Sequence, residues 1–242
     1  MDSYEPILSF GEESAEIYDD TPRGDEAAAV EFLHALAGTG PVLELAIGTG
    51  RIALPLAARG VRVDGIDISP AMVARLRAKP GGDAITVTTG DFAGVPVDGS
   101  FPLIYVVFNT LFNLLTQDDQ VRCFENVAAH LTDPGVFVVE TAVPTAWLRG
   151  SDQYVDAEAV GVDEVRLDVG RFDPVSQRLE ESHVHLSREG VRLFPIVTRY
   201  AWPSELDLMA RIAGLRLKER WGGWGRERFT GTSSLHVSVY GR

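Results

Sequence analysis

Cysteine is almost absent from this chain: Cys123 stands alone among 242 residues. A single thiol excludes a disulfide framework and a cysteine metal cluster, and its place in a helical pattern makes it a small core hydrophobe. Long apolar runs are missing as well. Nothing approaches the roughly 20 residues needed to cross a bilayer, so no membrane partner is expected. The opening Met1-Asp2-Ser3-Tyr4-Glu5 is acidic, with no apolar stretch of a secretory signal, which predicts a soluble cytoplasmic protein. Positive charge is scarce too. Lys and Arg number 22 against 35 Asp and Glu, a net charge of −13, which argues against a broad nucleic-acid surface.

What is present is an alternation of short apolar runs and helical patterns. Residues 25–37 read as a helix closed by Gly38 and Gly40. Strands are expected over 42–47, 61–66, 84–89, 102–108 and 136–141, with helices over 51–59, 69–78 and 117–131 between them. Ser69-Pro70 is a good cap and first-turn pair, and Pro134-Gly135 reads as a turn before the fifth strand. Strands alternating with helices predict a mainly parallel, doubly covered sheet with right-handed crossovers. After Pro144 the pattern changes. Residues 162–171, 178–188 and 191–202 read as long strands separated by Asp173-Pro174 and Glu189-Gly190, an antiparallel insertion. A short helix from Ser204 and two closing strands (215–221 and 233–240) finish the chain. The expected plan is one domain: a cap and helix (1–40), a ligand-binding core (41–143), the β insertion (144–203) and a closing unit (204–242).

The organising stretch is Pro41-Val42-Leu43-Glu44-Leu45-Ala46-Ile47-Gly48-Thr49-Gly50-Arg51. A strand, a glycine turn and a helix bring bare backbone N–H groups close to a ligand. The glycines alone also satisfy a loose dinucleotide fingerprint, so they leave a nicotinamide enzyme open. Glu44 separates the two. A carboxylate inside that strand faces a pyrophosphate unfavourably and suits a cationic amine. Asp67 closes the second strand, where an acid accepts ribose hydroxyls or caps the turn before Ser69. Asp91-Phe92 follows the third strand.

These residues together resemble the class I S-adenosylmethionine-dependent methyltransferases, over about residues 15–142. The resemblance implies a Rossmann-like α/β sheet with helices on both faces, an N-terminal helical cap and an antiparallel β insertion. It implies S-adenosyl-L-methionine as cofactor, with Glu44 and Gly48 to Arg51 at its methionine part, Asp67 at the ribose and Asp91-Phe92 at the adenine. Ala46, Gly50, Ile68, Met72, Phe108 and Asn109 complete the implied cofactor set, and Asn113 is the substrate-side candidate. Tyr18 and Arg23 resemble the tyrosine lid and carboxylate-binding arginine of small-molecule enzymes, including those that N-methylate amino sugars of antibiotic pathways. The expected reaction is methyl transfer to N or O of a small molecule, with a second copy of the chain as a further partner. A nicotinamide-dependent oxidoreductase and a non-catalytic nucleotide-binding protein are the alternatives.

The run Phe108-Asn109-Thr110-Leu111-Phe112-Asn113 departs from the Asn/Asp-Pro-Pro-aromatic motif of nucleic-acid amino methyltransferases, in agreement with the charge. His183 and His185 alternate on one strand face without an evident third ligand, so no metal site is expected and no catalytic base is assigned. Trp202, Trp221, Trp224 and Phe229 read as core.

Overall fold

The computed structural model describes residues 9–20, 22–148 and 152–242; residues 1–8 of the expected cap, Thr21, and 149–151 of the expected insertion lie outside them. The cap contributes helix α1 (Glu12–Ile17), followed by α2 (Glu26–Ala37). The core then runs β1 (Val42–Leu45), α3 (Ala53–Ala58), β2 (Val63–Asp67), α4 (Pro70–Arg77), β3 (Thr86–Thr89), β4 (Phe101–Val106), α5 (Gln117–His130) and β5 (Leu131–Ala142). Four long strands follow: β6 (Gln153–Val160), β7 (Glu164–Asp173), β8 (Arg178–Ser187) and β9 (Gly190–Arg199). Helix α6 (Pro203–Ile212), β10 (Arg216–Trp221) and β11 (Leu235–Gly241) close the chain.

The main sheet has seven strands in the order β10-β11-β5-β4-β1-β2-β3. It is parallel from β5 to β3, and β11 joins it antiparallel to β5. Every residue of β1 is buried, as a central strand covered by helices on both faces requires. One core cluster packs α5 and α6 against the sheet around Phe124, Phe137 and Tyr240; the other seats α2 and α3 on the opposite face. Ser69 caps α4 as expected, its side chain accepting from the Met72 N–H at 3.2 Å. Cys123 is buried.

Three expectations change. The fifth strand starts at Leu131, because Leu131 already pairs with Phe101 and the Pro134-Gly135 irregularity is carried inside the strand. The insertion has four strands, β6 having escaped the pattern, and they form a separate antiparallel sheet in the order β6-β7-β8-β9. Of the aromatics read as core, Trp224 is buried against Phe32, whereas Trp202 is 37% exposed just before α6. Among the described residues no helix is long and apolar enough to cross a membrane.

Candidate active site

The site forms where open α/β sheets bind ligands, at the carboxyl ends of the parallel strands. Glu44 sits in the middle of β1, flanked by Gly65 on β2 and Tyr105 on β4. It is 2% exposed, and the Tyr105 hydroxyl donates to its Oε2 at 2.9 Å. Burial, with the Asp67 carboxylate nearby, pushes the Glu44 carboxyl up to about 8. Burial thus favours the neutral form of this acid at pH 7. Gly65 makes the arrangement possible: a Cβ there would lie 2.5 Å from the Ile47 side chain, which folds over β2 from the turn after β1.

That turn is Ala46 to Gly50. Ala46, Gly48 and Gly50 all have positive φ, at 55°, 56° and 78°. At Gly50 the positive φ favours glycine, and a Cβ would also crowd Leu76 at 2.9 Å and Leu54 at 3.1 Å. Asp67 holds the turn from the end of β2: its Oδ2 accepts from the Gly48 N–H and its Oδ1 from the Ser69 N–H, both at 2.7 Å. Burial pushes the Asp67 carboxyl up, and those backbone donors oppose the shift. So the turn-capping role of Asp67 is present in the fold, whatever else the side chain binds. Asp19 clamps the turn from the cap, accepting from Thr49 Oγ1 at 2.7 Å and pairing with Lys79 at 2.7 Å.

Over the turn lies a stack of rings and guanidiniums. The Arg51 guanidinium sits 5.0 Å from the Tyr18 ring and 4.8 Å from the Phe108 ring, and that of Arg23 lies 3.9 Å from Phe108. Arg23, which the resemblance sets against the cofactor's carboxylate, here forks onto Glu140 of β5, at 2.8 and 3.2 Å. Glu140 is 2% exposed and also accepts from the Phe108 N–H at 2.7 Å. Sequence reasoning passed over Glu140, although a lone acid in the apolar run 136–141 is the same signal that singled out Glu44. Phe108 and Asn109 have positive φ at the exit of β4, and Asn109 Oδ1 accepts from the Ala142 N–H at 2.5 Å.

Tyr18, Arg23, Glu44, Ala46, Gly48, Arg51 and Phe108 line one narrow cleft of about 40 Å³. Tyr18, Arg23, Arg51 and Phe108 also face a second cavity of about 870 Å³, joined there by Asn109 and Asn113. Gly50, Asp67, Ile68, Met72, Asp91 and Phe92 line neither. Of these, Met72 and Phe92 are buried in packing and Ile68 is 44% exposed. Asp91 is exposed, accepts from the Ala93 N–H at 2.9 Å and lies 3.7 Å from Arg122.

The far wall of the large cavity is the four-stranded sheet. His183 and His185 both face it, as their alternation on β8 predicts. His183 Nδ1 lies 2.5 Å from Asp168 Oδ1, and His185 packs on the Phe194 ring at 4.8 Å. The structure also brings Glu158 into reach, so that Glu158, Asp168 and His183 offer ligand atoms within 4.8 Å of one another, a grouping that the sequence did not reveal.

Comparison with known proteins agrees with this geometry. The family described as a methyltransferase domain matches residues 42–135. The CcbJ methyltransferase from Streptomyces caelestis is 38% identical, with a TM-score of 0.92 and 98% of each chain covered. The cypemycin N-terminal methyltransferase of a Streptomyces species is 26% identical over 202 residues, 83% of this chain and 82% of that protein. An amino pentose methyltransferase from Micromonospora echinaspora, solved with S-adenosylmethionine bound, shares the fold at a TM-score of 0.70 and 22% identity, over 99% of this chain and 98% of its own.

Proposed function

The chain belongs to the class I S-adenosylmethionine-dependent methyltransferases, and from that premise we propose that it methylates a nitrogen of a small molecule in secondary metabolism. The cofactor is S-adenosylmethionine, which supplies a methyl group already activated by a positive sulfur. The observation that carries the reading is Glu44: a buried acid beneath the glycine turn, at the floor of a cleft that shares its upper wall with a large cavity.

The donor set suits such a ligand. Glu44 at β1 would pair with the cationic amine of the methionine part, and the Gly48 turn would approach it closely. Asp67 would accept from ribose hydroxyls with the lone pairs left over from its two backbone donors. Asp91 and the neighbouring Phe92 are the candidates at the adenine. Tyr18, Arg51 and Phe108 would exclude water from the reacting centre. Much of the catalysis in such a site is positioning, because an amine acceptor needs only to be neutral and aligned. Nitrogen is preferred over oxygen because the curated relative with the broad overlap is an N-terminal methyltransferase.

Calorimetric titration with S-adenosylhomocysteine, with NADH in a parallel cell, tests the reading. Micromolar binding of the former alone is expected. Binding of NADH alone would overturn the Glu44 argument, and binding of neither would leave the fold without its proposed activity.

A further inference from the structure

The inner face of the four-stranded sheet carries its charge in rows. Cross-strand partners share a face, and the register places Arg166 of β7, His185 of β8 and Arg192 of β9 in one line. Two residues along each strand, Asp168, His183 and Phe194 form the next line. All six side chains line the large cavity. The acidic row is nearer to Leu179, the buried end of β8, and the cationic row nearer to the β8–β9 hairpin. At about 3.4 Å per residue the rows are about 7 Å apart.

The cationic row has binding capacity left over. Arg166 meets Glu164 at 3.4 Å, yet its Nε is buried without a hydrogen-bond partner. A donor in that state costs free energy unless something accepts from it. Arg192 makes no ion pair among the described residues, its guanidinium lying 5.9 Å from the Phe194 ring. Arg188, by contrast, is taken by Asp163 at 2.8 Å. In the other row Asp168 meets His183 through Oδ1 alone, at 2.5 Å, and Glu158 lies beside it, a pair of carboxylates that suits an ammonium group.

We propose that the methyl acceptor is a zwitterion: its amine sits on the Asp168–His183–Phe194 row and an anionic group, carboxylate or phosphate, sits about 7 Å away on the Arg166–His185–Arg192 row. This rests on the methyltransferase reading only for making the bound amine the acceptor, which first gives up one proton to solvent in the cavity so that its nitrogen has a lone pair for the methyl group. The spacing exceeds that of an α-amino acid, so a longer amino acid or a conjugate fits better.

The test uses S-adenosylhomocysteine-saturated protein titrated with ε-aminocaproate, hexylamine, hexanoate and glycine, followed by NMR shifts of the histidine rings. ε-Aminocaproate is expected to bind about tenfold or more tightly than each of the other three. Arg192→Gln and Arg166→Gln should reduce it to the level of hexylamine, and Asp168→Asn to the level of hexanoate, with S-adenosylhomocysteine affinity unchanged in each variant. Equal binding of the four probes, or a zwitterion preference indifferent to those variants, overturns the proposal while the methyltransferase reading stands. Loss of S-adenosylhomocysteine binding in the wild type instead removes that reading, and the probe titrations remain readable on the protein alone.

Discussion

The two sheets handle polarity in opposite ways. In the seven-stranded sheet the interior is apolar, and the acids it admits, Glu44, Asp67 and Glu140, each receive donors aimed at them. In the four-stranded sheet the charged face turns inward to the cavity, and apolar side chains look outward: Val155, Val191 and Leu193 are 66%, 63% and 61% exposed. A polar group in the first sheet must be satisfied or it destabilises the fold, so the cofactor end tolerates little variation. Apart from the buried Arg166 Nε, the charges of the second line a roomy cavity and should be rearranged at smaller cost to stability. On the reading proposed above, the fold holds the cofactor end tightly and leaves the proposed acceptor end less constrained.

The largest test of this contrast is in packing. Phe124 is fully buried, edge-to-face with Phe137 at 5.2 Å and Tyr240 at 5.6 Å. Phe124→Ala should cost about 4 kcal/mol of unfolding free energy, whereas Val155→Ala on the outward face should stay within about 0.5 kcal/mol. Denaturant melts read both, and similar costs would erase the distinction between the sheets.

Next in size is Asp67. Asp67→Ala should weaken S-adenosylhomocysteine by about 1.5–3 kcal/mol through loss of charge-assisted hydrogen bonds. Calorimetry decides it, and wild-type affinity would confine Asp67 to its role in the turn.

A third test uses pH, because two buried groups of the main sheet titrate with opposite sign. Glu44 holds its proton up to about 8 when folded, against 4.5 as its ordinary value. The folded state thus carries one extra proton between those limits, and stability falls as pH rises through them. His236 is fully buried against Thr141 and Ser238, and burial, with the Arg220 guanidinium nearby, pushes it down to about 3 from 6.5. Its folded form carries one proton fewer between those values, so stability falls as pH drops through that window. From pH 4.5 to 6.5 the two slopes cancel. From 6.5 to 8 Glu44 acts alone and should remove about 2 kcal/mol. Glu44→Gln should flatten that upper limb and uncover the His236 slope between 4.5 and 6.5, where the two no longer cancel; an upper limb that persists would assign the effect to another group.

The sequence was legible where burial constrains it. An acid in Val42-Leu43-Glu44-Leu45, the Ser69-Pro70 cap and the buried run before Phe108 each leave a mark that one-dimensional spacing records. Strand β6 left none, because Ala157, Glu158 and Ala159 are all exposed and alternate weakly. Trp202 shows that an aromatic side chain does not reveal its own depth. The charge rows on the cavity wall were hidden for a different reason: they exist only across strands, through a register that joins Arg166 to Arg192 by way of His185. Glu140 was readable in principle, and only its partner Arg23, far away in sequence, was not.

The smallest effect bears on the cofactor side of the contrast. If Glu44 is neutral near pH 7 and must ionise to pair with a ligand ammonium, binding releases a proton. Affinity for S-adenosylhomocysteine should then rise about tenfold, or about 1.4 kcal/mol, with each unit by which pH increases toward 8, and level off above it. The slope arises because the acid, raised by burial, has to give up its proton before it can attract the cation. Calorimetry at pH 6.5 and 7.5, in buffers of different ionisation enthalpy, reads both the affinity change and the proton itself. In Glu44→Gln the carboxyl is gone, so binding should be weaker and its pH slope lost. A slope that survives in the variant would seat the ammonium elsewhere and return Glu44 to a structural role beside Tyr105.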